Sequence, residues 1–186
     1  MPRLPSGPGR RAARHADIPV WLPPAMVAVV VSALAGALWL SARLTPSAPV
    51  TDAALFLHLA SLVVGFGAVL AVDWVALLWV LRRRHFSDVL HAADNVHIPV
   101  WVGYAGLLVT GVVLHPDLAN RTTVLKMGLV LVVGWNGALA MALHRGLVAA
   151  PSGEVPRRLL VWSALSAAVS QAGWWGATVI GFLSAR

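Results

Sequence analysis

Apolar residues run through this chain in five long blocks, at about 25–44, 53–81, 96–115, 124–148 and 159–183, separated by short polar stretches. Each block reaches the roughly 20 residues that a helix needs to cross about 30 Å of hydrocarbon. The pattern predicts an all-α integral membrane fold with five transmembrane helices, of which helices 2–5 form a four-helix bundle and the first is an extra N-terminal helix. The connections "TPSAPV", "RRRHFSDVLHAAD", "PDLANRT" and "VAAPSGEVPRR" are too short to hold a domain. Any chemistry must therefore sit inside the bundle or at the helix ends. Residues 25–186 read as one five-helix domain, preceded over 1–24 by a basic, Pro- and Gly-rich tail expected to be flexible and cytoplasmic.

Within the apolar blocks the polar positions fall on stripes. His97 and His115 are eighteen residues apart, five turns at 3.6 residues per turn, and so share a face with Trp101, Tyr104, Leu108 and Gly111. The fourth block repeats the spacing: Lys126, Val130, Val133, Gly137, Ala140 and His144 align, with Asn136 at the edge. The second block carries His58, Ser61, Gly65, Val69 and Val72, with Asp73 one step away. In the fifth, Ser163, Ser166, Ser170, Trp174, Ala177 and Gly181 line up beside Gln171. Small residues on such stripes admit either a flat ligand or a neighbouring backbone.

Ionisable residues in a span normally face a partner or a cavity. Four polar stripes in one bundle point to a central cofactor or ion site, with the eighteen-residue pairs marking two depths of one interior. Neutral imidazole ligates haem iron, zinc and copper. Zinc calls for three or four clustered ligands, and the chain has no HxxxH pair. Haem needs one or two axial ligands and a large apolar slot. The expected ligand is His58, with His115 as an outer-side partner; His97 and His144 form the alternative inner pair. Tyr104, Trp101 and Trp174 are expected to line the slot, and Trp74, Trp135 and Trp175 also lie too deep for an interfacial belt. Lys126 either snorkels to the headgroups or pairs with an anionic group or acts as a base. Asp73 either serves a proton path or fixes packing through Asn136 or Trp74. These two are the candidate catalytic residues.

Composition agrees with a membrane protein: 59% of the 186 residues are hydrophobic, 11% are charged, and the mean hydropathy is +0.78. There is no cysteine, which excludes disulfides, thiolate metal sites, iron–sulfur clusters and covalent c-type haem. The net charge of +7 does not mark a nucleic-acid binder, because the basic residues sit at the ends of apolar blocks. Arg3, Arg10, Arg11, Arg14, Arg82, Arg83, Arg84, Arg145, Arg157 and Arg158 fall on one side of a five-pass chain, and Arg43, Arg121, Lys126 and Arg186 on the other. The positive-inside rule then puts the N-terminus and the loops 82–95 and 146–158 in the cytoplasm and the C-terminus outside. Abundant Ala, Val and Arg suggest a GC-rich bacterial genome, and the expected location is a bacterial plasma membrane. "IPVW" occurs at 18–21 and 98–101, each expected where a helix enters from the cytoplasm.

The region from about 55 to 183 resembles the four-helix membrane proteins of the HemJ-type protoporphyrinogen oxidase family and their CopD-like relatives. The likeness rests on "FLHLASLVVGFGAVLAVDWVALLWVLRRRH", where a helix opens with Leu-His and small residues and ends in a basic cluster. It rests also on "VLKMGLVLVVGWNGALAMALHRG", where a lysine precedes an apolar run with glycine. The resemblance implies haem b bound through His58, with Lys126 important for activity. The leading expectation is a b-type haem redox protein acting on a porphyrin or quinol-like reductant, in contact with the bilayer and a redox partner. The alternatives are copper, cation or proton transport, with His58, Asp73, His97, His115 and His144 as stations, or an accessory subunit of a larger complex, with homo-oligomerisation also open.

Overall fold

The computed structural model describes residues 22–150 and 155–184. They form five helices: α1 (Leu22–Ser41), α2 (Ala48–Val80), α3 (Phe86–Val113), α4 (Arg121–Ala149) and α5 (Arg157–Ser184). Helices α1–α4 are long and apolar enough to cross a membrane. Helix α5 is long but falls short in apolarity, with Arg157, Arg158, Ser163, Ser166, Ser170 and Gln171 along it. The tail expected over 1–24 lies outside the described residues up to position 21, and residues 22–24 already belong to α1. The first "IPVW" is outside them too.

Helix α1 is shifted three residues toward the N-terminus of its block, α2 begins at Ala48, five residues before its block, and both ends of α3 differ from the hydropathy reading. The expected loop 82–95 is a turn over 82–85 followed by about two and a half turns of α3, because hydropathy misses a helix that continues past the apolar block. The Asp88 carboxylate accepts from the His85 backbone N–H at 3.1 Å and so starts that helix ahead of the apolar block. Consequently the second "IPVW" lies mid-helix, and Pro99 is an internal proline rather than a first-turn one. At the other end, α3 stops at Val113, so His115 leaves the stripe that the eighteen-residue spacing predicts.

Both α2 and α3 are followed by a basic residue in left-handed conformation, Arg82 at φ 59° and His115 at φ 46°. After α2 the bonds are those of a Schellman closure: Arg82 N–H donates to Trp79 O and Arg83 N–H to Leu78 O, each at 2.8 Å. Glycine is the strain-free residue there, and arginine costs about 1 kcal/mol more.

Helices α2 and α3 pack most intimately, as an antiparallel hairpin, and α4 with α5 forms a second; α1 lies against α3 and α4. The α2–α3 seam descends by helical turns from Gly65 against Gly103, through Ser61 against Gly106, to His58 against Thr110. A Cβ on Gly103 would collide with the Gly65 backbone and with Ser61 O, so the two main chains touch. Lipid is as apolar as leucine, so this close backbone approach and interhelical hydrogen bonds hold the helices together. Along α4–α5, Leu159 sits beside Gly146 at one end and Lys126 beside Gly181 at the other. Between them, Asn136 Nδ2 donates to Ser166 O at 2.8 Å while Ser166 Oγ donates to Asn136 Oδ1 at 3.0 Å.

Val30, Phe66, Tyr104, Val133 and Trp174 meet at the centre. Trp174 is 3% exposed and stacks on Phe66 with ring centroids 5.6 Å apart. Trp74 and Trp135, each 61% exposed, lie on the outside of the bundle, and Trp175, 51% exposed, meets Phe66 edge-on with ring centroids 5.0 Å apart. An aromatic ring is apolar enough for either surface of a membrane helix, and depth alone does not choose between them.

Candidate functional site

His58, half-buried on α2, places Nδ1 2.8 Å from Thr110 Oγ1 on α3. The hydroxyl of Thr110 has a single proton, and its best acceptor is Gly106 O, one turn back, at 2.6 Å. Toward His58 it can then only accept. The imidazole therefore carries its proton on Nδ1 and keeps a lone pair on Nε2. A ligating histidine is commonly oriented this way, by a neighbour that holds its other ring nitrogen.

Around His58 the helices present little bulk. A Cβ added to Gly111 would lie 3.9 Å from His58 Cε1, and one added to Gly181 would lie 3.5 Å from Lys126 Nζ. Lys126 is half-buried on the first turns of α4, with its Nζ beside Gly181 of α5. One end of the bundle thus brings together an imidazole from α2, a hydroxyl from α3, an ammonium from α4 and a glycine from α5. Thr110 is the member that the stripes did not single out. It could have been found by stepping from the Gly65–Gly103 contact one turn at a time, which brings Thr110 opposite His58.

The remaining candidates are placed elsewhere. Tyr104 is a core residue: its hydroxyl donates to Val130 O at 3.1 Å, and its ring fills the space over Gly134. Trp101 meets Tyr104 edge-on at 5.8 Å and lies against Gly137. With Trp174 on Phe66, these rings close the middle of the bundle instead of lining an open slot. Asp73 accepts a hydrogen bond from Gln171 Nε2 on α5, and its partner is neither Asn136 nor Trp74. His144 Nε2 is 2.7 Å from Asp94 Oδ1, and His97 Nδ1 is 2.6 Å from Asp94 O, so the inner pair shares Asp94. Among the described residues, no three His, Asp or Glu side chains come together to hold a metal ion.

His115 is bound to the main chain, with Nδ1 2.9 Å from Val113 O and Nε2 2.6 Å from Leu44 O. Carbonyls only accept, so both bonds exist together only in the imidazolium, and neither nitrogen is left for a metal. The Val113 carbonyl, then the Leu44 carbonyl, raises the pKa of this exposed ring. Nearby in sequence, Arg43 lies over Trp39 and Asp117 accepts from the Ala119 N–H, so each has its own partner. A raised pKa means that the tether is complete below the unfolded value of about 6.5 and is lost as the pH rises through the higher folded value. Amides of residues 42–45, corrected for intrinsic exchange, should therefore exchange faster at pH 8.5 than at pH 6 by hydrogen–deuterium exchange. A His115→Ala protein should lose that difference; an equal pH response in the variant would show that the ring does not hold the loop.

Comparison with protein-family models, with curated proteins and with solved structures finds no match to this chain.

Proposed function

We propose that this chain is a b-type haem-binding membrane redox protein with His58 as its protein ligand to iron. The observation that carries the reading is the Thr110-held ring of His58, which leaves the Nε2 lone pair for a ligand at the Lys126 end of the bundle. The donor set fits haem better than zinc, because one oriented imidazole suffices for haem and zinc wants a cluster. Haem bound here would supply one-electron chemistry. The chain's own part is to bind through Nε2, to hold the Nδ1 proton on Thr110, and to place the Lys126 ammonium against an anionic group such as a propionate. Lys126 would also orient an acidic reductant at this end. His58 is the residue we assign to the iron, since both ring nitrogens of His115 are engaged by carbonyls and His144, near the end of α4, lies at the opposite end of that helix from Lys126.

Helix α5 lies along α4 from Gly146 to Lys126, which supports a fifth crossing. The basic loops support a cytoplasmic N-terminus in a bacterial plasma membrane, with the His58 end outside.

The test is the visible spectrum of the detergent-purified protein, oxidised and reduced, with extractable haem measured on the same sample. The expected result is a Soret band with high-spin, five-coordinate character. A colourless, well-folded preparation to which added haem does not bind would reject the reading.

A further inference from the structure

The turn between α2 and α3 carries a groove of about 620 Å³ whose lining combines Arg82, Arg84 and His85 with Trp79, Val80 and Phe86. Its apolar wall is continuous with the last turn of α2, one of the membrane-length helices, and the Trp79 and Phe86 rings meet 5.0 Å apart. We propose that this groove binds the headgroup of an anionic phospholipid, with the phosphate between Arg82 and Arg84 and the first acyl carbons against Trp79 and Val80.

Three further observations favour a negatively charged occupant that arrives from the bilayer. First, the guanidinium groups are available: among the described residues the only ion pair is Asp94 with His144, and Asp88 is turned to the His85 backbone N–H. Second, the chain keeps arginine at φ 59°, in a helix closure where glycine is the strain-free choice, so the side chain is retained against a conformational cost. Third, Arg145, Arg157 and Arg158 are exposed at this same end, which gives it the basic field that draws anionic lipid. Arginine forks and a phosphate match in geometry as well as charge. This inference is independent of what His58 binds.

Arg83 belongs to the same tripeptide but does not line the groove, which makes it an internal control. The experiment is native mass spectrometry of the full chain released from mixed micelles containing equal phosphatidylglycerol and phosphatidylcholine. The parent should retain phosphatidylglycerol over phosphatidylcholine by at least about 5-fold, and R82Q/R84Q should bring the ratio near one. R83Q should keep the parent ratio. R82G guards against misfolding, because it relieves the left-handed strain: Tm should hold or rise by about 2–4 °C while the lipid preference falls. No preference in the parent would overturn the proposal, as would an equal loss in R83Q, which would mean diffuse surface charge. Full displacement of the lipid by millimolar inorganic phosphate would also overturn it, by making this a site for free phosphate.

Discussion

Gly103→Ala should lower the stability of the protein by about 3 kcal/mol, and so its thermal midpoint in a fixed detergent by roughly 10 °C. The added methyl would fall on the Gly65 main chain and on Ser61 O, neither of which can rotate aside as a long side chain could. The α2–α3 hairpin must separate to admit it. Since lipid provides no hydrophobic force to restore the contact, most of the lost dispersion and packing energy goes uncompensated. Separation would also draw Thr110 away from His58, so the change should weaken ligand binding without touching the ligand. Gly67→Ala is the control: nothing lies within 4 Å of the added carbon, and the better helix propensity of alanine should leave stability unchanged or slightly raised. If Gly103→Ala melts with the parent, the two backbones are not in contact.

His58→Ala should abolish the haem spectrum, whereas Thr110→Val should keep the ligand and weaken the site. Valine matches threonine in shape but offers no acceptor to Nδ1–H, so the ring loses the partner that fixes its tautomer. Such supporting contacts are worth about 10–100-fold in affinity. Haem titration of the two variants separates these roles, and a shift of midpoint potential in Thr110→Val would report the altered ring. His115→Ala and His144→Ala should retain the parent spectrum, because both nitrogens of His115 are engaged by main-chain carbonyls and His144 lies at the opposite end of α4 from Lys126. A spectrum that survives His58→Ala but disappears in either of the others would move the ligand.

The sequence carried the helices and much of the seam. Hydropathy located α1 to α4, and the His58–Ser61–Gly65 stripe is the face that α2 turns to α3. Asn136 and Ser166 were visible as polar positions on stripes, though not as each other's partner. What stayed hidden follows from the physics of periodicity. A helical wheel says which residues share a face but not what covers it, so Tyr104, Trp101 and Trp174 looked equally suited to line a slot or fill a core. It also assumes that the helix continues, which failed for His115 when α3 ended at Val113. Exposure of Trp74, Trp135 and Trp175 was illegible because lipid and core are both apolar. The partner of Asp73 depended on how α2 and α5 face one another across the two hairpins, a relation that no local pattern encodes.

The order of the helices along the chain bears on how the protein is made. The Gly65–Gly103 crossing joins sequence neighbours, so it can form as soon as α3 has left the ribosome and entered the bilayer. His58 meets Thr110 across that same pair of helices, before α4 has entered the bilayer. Lys126 then arrives as an ammonium at the same end as an already oriented imidazole, and it is flanked by Gly181 only when the last turns of α5 dock. A chain arrested after α3 would hold the imidazole in its final tautomer with no ammonium at that end of the bundle. Assembly is thus ordered from imidazole to ammonium to closure, and the final residues of α5 complete that end of the bundle.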